Sequence, residues 1–81
     1  MQEETMPEWM SDLVLDSITA LKDERVKKDF QKAGSAILHN KNTTGFLFSE
    51  EEGFSIMGKL EEKGENGPVI TYGRYRYVPK N

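Results

Sequence analysis

"YGRYRYV" (Tyr72–Val78) is the stretch on whose phase the architecture turns. It closes a run from Val69 to Val78 rich in β-branched and aromatic residues, which reads as a strand. Under strict alternation one face carries Ile70, Tyr72, Arg74, Arg76 and Val78, and the other carries Val69, Thr71, Gly73, Tyr75 and Tyr77. The first face then mixes arginine with aromatic, the pattern of a platform on which single-stranded bases stack. A β-bulge at Gly73 changes this. One extra residue switches the phase, aligns Ile70 and Tyr72 with Tyr75 and Tyr77, and sends both arginines outward. Aromatics in small sheets are mostly core, which favours the bulged strand with packed tyrosines.

Working back from that strand, "EEKGENGP" (61–68) is a turn-rich connector. Before it, Phe54, Ile56 and Leu60 alternate with Ser55, Met57 and Lys59 as a half-buried strand, and Phe46-Leu47-Phe48 is a short buried-strand signal. A helix over 49–62 competes: Ser49 with Glu52 forms a capping box, and Phe54, Met57 and Leu60 suit a helical face. That helix would hold Gly53 and Gly58 internally, at about 1 kcal/mol each against alanine. The strand reading gives a three-stranded antiparallel β-meander.

The first half is helical. Thr5-Met6-Pro7-Glu8 reads as a helix start, with a cap, a first-turn proline and an acid three residues on. Met6, Trp9, Met10, Leu13, Val14, Ile18, Ala20 and Leu21 then cover about half of the helix circumference, wider than the stripe of an ordinary surface helix. Val26, Phe30, Ala33 and Ile37 form a second stripe, at i, i+4, i+7 and i+11, along a helix from about Asp23 to Leu38. In one continuous phase the two stripes point about 180° apart. Either the helix breaks near Lys22-Asp23, with Asp23 capping the second part, or one long helix buries opposite faces at its two ends, with Leu15, Val26, Ala33 and Ile37 as a seam against a second copy. "HNKNTTG" (39–45) reads as loop, and the Asn42-Thr43-Thr44 sequon within it as a turn. The expected fold is α+β: two N-terminal helices, or one long one, and a small three-stranded meander. The chain makes one domain over 1–81, helical over about 6–39 and β over about 44–79.

With 81 residues, 36% hydrophobic and 31% charged, a single small core is all the chain can build, and its apolar supply is thin. The absence of cysteine removes disulfides and thiolate metal sites and suits a reducing cytoplasm. Glu3, Glu4 and Glu8 precede the first apolar stretch, and Asp12 and Asp16 interrupt it, an order opposite to a signal peptide and foreign to a membrane span. A net charge of −3 argues against a dedicated duplex binder, whose affinity comes from phosphate neutralisation.

Little points to catalysis or to a cofactor. His39, the only histidine, sits where it would complement the dipole at the end of the second helix. Glu50-Glu51-Glu52 lacks the spacing of a cation loop, no His/Cys cluster suggests a metal, and no phosphate loop or nucleophile elbow is present. The expected role is a non-catalytic protein-binding module, accessory, inhibitory or regulatory, acting through Trp9, Met10, Leu13 and Val14 and most simply as a homodimer. Such a chain would suit a viral or mobile-element accessory protein. The other reading is a nucleic-acid-binding regulator in which Arg25, Lys28 and Lys32 on the second helix join Arg74 and Arg76 on the last strand, in a helix-plus-wing arrangement. As a ridge by themselves, the three helix residues also read as a solvated face balanced by Asp23, Glu24 and Asp29.

Overall fold

The structure is a computed structural model that describes residues 6–79. Helix α1 (Glu8–Ala20) and helix α2 (Glu24–Ala33) precede four strands, β1 (Ser35–Asn40), β2 (Thr43–Glu50), β3 (Gly53–Gly64) and β4 (Gly67–Tyr77). The strands form one antiparallel sheet in the order β1-β2-β3-β4. Both helices lie against one face of it.

The helical region breaks where the two apolar stripes change phase. Pro7 caps α1 through its carbonyl, which accepts from Met10 and Ser11 at 3.0 Å each; the expected Thr5 cap lies outside the described residues. The far end tightens through bonds from Lys22 to Thr19 and from Asp23 to Ala20, the i→i+3 pattern of a terminating turn. Asp23 then starts α2, its Oδ1 accepting from the Arg25 amide at 2.9 Å. Gly34, at φ 80°, ends it in the left-handed conformation that glycine adopts without a Cβ penalty.

That stop corrects the expected three-stranded meander to a four-stranded one. Ile37 fits the α2 stripe by spacing, but the helix ends at Ala33 and Ser35–Asn40 is a strand. It pairs with β2 from Ser35↔Phe48 to Asn40↔Thr43, so His39 stands on a strand rather than at a helix end. The glycine breaks the helix before Ile37 can continue its face, and the following residues instead pair along one edge with β2. Residues 53–64 are strand throughout, which excludes the competing helix.

No bulge occurs at Gly73. The β3–β4 register runs without a slip from Phe54↔Tyr77 through Gly58↔Gly73 to Gly64↔Gly67. The glycine serves close packing instead. Gly45, Gly58 and Gly73 stand side by side on β2, β3 and β4, and α1 lies over them. A Cβ on Gly45 would sit 2.8 Å from Leu13 Cδ1, and one on Gly58 2.8 Å from Met10 Sδ and 2.9 Å from Trp9 Cζ3. On Gly73 it would sit 3.0 Å from Met10 Sδ.

The core is therefore the helix side of the sheet: Met10, Leu13, Val14, Phe30, Leu47, Phe54 and Ile56, with Trp9, Ile18, Leu21, Tyr75 and Tyr77 packed against it. Phe54 meets Phe30 edge-on at 6.2 Å, a geometry that aromatic quadrupoles favour, and packs against a tilted Tyr77 ring at 5.2 Å. Buried Ser17 donates to the Leu13 carbonyl at 2.8 Å, and Asn40 Nδ2 donates to Asp16 Oδ2 at 2.9 Å, tying α1 to β1. Among the described residues no helix is long and apolar enough to cross a membrane.

Candidate binding surface

The apolar face of α1 is enclosed by its own protomer. Met10, Leu13 and Val14 are only 1%, 2% and 7% exposed, and Trp9 is half-buried beside them. The four residues expected to meet an external partner instead meet the glycine row and the strands flanking it. The reason is a matter of volume. Three neighbouring strands without side chains let a helix approach closely enough for one sheet face to absorb a broad apolar stripe.

The unbroken alternation of β4 answers for the other side. Tyr75 and Tyr77 point to the helices, so Tyr72, Arg74 and Arg76 point to the opposite, open face. "YGRYRYV" thus contributes to the core and to an aromatic, basic surface at once. Cross-strand registers order that surface into three rows. Ile37, Phe46, Met57 and Arg74 form the middle one; Ser35, Phe48, Ser55 and Arg76 flank it on one side, and His39, Thr44, Lys59 and Tyr72 on the other.

The centre of this face is apolar and open to solvent. Ile37 is 56% exposed, Phe48 46% and Met57 39%, and among the described residues no helix lies on that side to cover them. Among the described residues, eight large hydrophobic side chains are left exposed, and five of them (Ile37, Phe48, Met57, Ile70 and Tyr72) stand on it. Single exposed apolar residues are ordinary, but a contiguous set on one sheet face marks a contact surface. Phe48, Glu50, Ser55, Met57, Arg74 and Arg76 line a shallow depression of about 540 Å³.

Arg76 Nε lies 3.1 Å from Glu50 Oε1, while the Ser55 hydroxyl donates to Glu50 Oε2. One arginine of the face is therefore neutralised within the chain. Lys59 and Arg74 make no ion pair among the described residues. Arg25, Lys28 and Lys32 are exposed on α2 but turned away from Phe30, which packs onto the helix side of the sheet. They stand on the far layer from Arg74 and Arg76, so the two basic sets do not form one patch. Among the described residues no group of three or more His, Asp or Glu side chains converges as a metal site would require.

Sequence reasoning did not single out Ile37, Phe46, Phe48 and Met57 as a surface. The signal was present in the consecutive apolar residues of Phe46-Leu47-Phe48 and Ile56-Met57. In a strand, neighbours point to opposite faces, so such runs require apolar character on both sides of the sheet. Compared with protein-family models, curated proteins and solved structures, the chain matches none.

Proposed function

We propose that this protein is a small, non-catalytic protein-binding module of the cytoplasm that works through the open face of its sheet. The observation that carries the proposal is the exposed set Ile37, Phe48 and Met57, which runs from the β1 edge to the middle of a face that no other described element covers. Its composition is that of a protein contact: aromatic residues, methionine and arginine are enriched at such surfaces, and acidic residues are depleted at their centres. The Arg76–Glu50 pair supports the same reading, because a charge already matched within the chain can be covered at lower cost than a free one. Affinity capture on the immobilised chain tests this. Protein retained by the wild type, further copies of the chain included, is lost on Met57→Lys and kept on Lys28→Glu. Equal retention by Met57→Lys and the wild type would exclude the open face.

The unbroken alternation of β4 also favours a second reading, a single-strand nucleic-acid platform of Phe46, Phe48, Tyr72, Arg74 and Lys59. With Arg76 engaged by Glu50, two cations remain for phosphate, and affinity should fall with salt at a slope of about −0.7 per contact. An oligonucleotide titration at low ionic strength decides: no binding there ends this reading, and binding that Arg74→Ala weakens would favour it over the first.

A further inference from the structure

We infer that the open face is covered by a second copy of this chain, in a face-to-face dimer whose two-fold axis runs parallel to the strands. This rests on the protein-binding reading above and names its occupant. The first argument is layering. The protomer is a slab only 17 Å thick, with its helices on one side of the sheet and Ile37, Phe48 and Met57 exposed on the other. Two layers with one bare sheet face are half of a sandwich, and a second sheet packs on such a face at about 10 Å with strands aligned within about 30°.

The second argument is the distribution of charge across the strands. Arg74 and Arg76 stand on β4 at one margin; Ser35 and Ile37 stand on β1 at the other; the apolar side chains lie between them. A two-fold axis parallel to the strands lays β4 of each copy over β1 of the other, and β2 over β3. Phe46 then meets Met57 of the second copy, a favourable sulfur–aromatic contact, and each Arg74 lies over an uncharged margin rather than over its equivalent. An axis perpendicular to the strands would set arginine against arginine. Such an interface is isologous and closes at two copies. Leu15, 61% exposed on α1, is on the far side of the molecule and takes no part.

Sedimentation of the full chain from low to high micromolar concentration, with Met57→Lys and Leu15→Lys beside the wild type, tests the inference. The wild type and Leu15→Lys should approach twice the 9.3 kDa protomer mass, while Met57→Lys raises the dimer dissociation constant by about 100-fold or more. Circular dichroism checks that the variant is folded; if it is not, Ile37→Lys, at a more exposed position of the same row, takes its place. A wild type that stays monomeric throughout, or a dimer that Leu15→Lys dissolves and Met57→Lys does not, overturns the inference. If the wild type is monomeric but Met57→Lys still abolishes capture of another protein, only the occupant was misassigned; if capture is also unchanged, the protein-binding reading falls with it.

Discussion

On the helix side of the sheet, the row Leu38, Gly45, Gly58, Gly73 is nearly bare of side chains, and α1 supplies the bulk. One residue along each strand, on the other side, the row Ile37, Phe46, Met57, Arg74 carries large side chains, and no other described element covers them. The strands are the same; only the source of the packing atoms differs. Apolar content alone therefore does not identify a contact surface. The grease on α1 is matched by empty strand positions within the protomer, whereas the grease on the open face is matched by nothing among the described residues.

The comparison can be broken most forcefully from the inner side. Leu13→Ala removes a side chain that is 2% exposed and seated on two of the glycines, and should cost about 3 to 4 kcal/mol of unfolding free energy in urea titration. A loss below about 1 kcal/mol would mean that α1 is not anchored there. Gly45→Ala should cost about 2 kcal/mol, because its Cβ would overlap Leu13 and little else. Combined with Leu13→Ala it should cost less than the sum, with a coupling of about 1 kcal/mol in a double-mutant cycle.

One strand then allows the two faces to be compared directly. Tyr75 packs against the core and Tyr72, three residues earlier, is 65% exposed. Tyr75→Ala should lower stability by about 2 kcal/mol and Tyr72→Ala by less than about 0.5 kcal/mol in dilute solution. Equal losses would contradict the unbroken register through Gly73. The smallest effect belongs to Arg76→Ala. Its ion pair with Glu50 is largely solvent-exposed, so thermal unfolding should shift by an amount worth at most about 0.5 kcal/mol.

Much of this was legible in the residues. The opposed stripes and Asp23 indicate the helix break, and the alternation of Phe54, Ile56 and Leu60 indicates β3. The first strand was not, because Ile37 satisfies both a helical spacing and a strand, and only the left-handed turn at Gly34 separates them. Gly73 misled for a related reason. A glycine in a strand signals either a bulge or a close approach, and the second becomes visible only when the register sets it beside Gly58 and Gly45. Cross-strand alignment is a property of pairing, not of any one segment, and the surface formed by Ile37, Phe46 and Met57 is legible only with it.

Two methionines provide a reporter on each face, since Met10 is buried between α1 and the sheet and Met57 lies at the centre of the open face. A dilution series of the chain labelled with ¹³C at the methionine methyl groups reads both in one spectrum. The Met57 resonance should move with concentration as the second copy leaves, while that of Met10 stays fixed. A Met57 signal indifferent to dilution, or a Met10 signal that moves with it, would contradict a molecule whose inner face is complete and whose outer face is covered by its own twin.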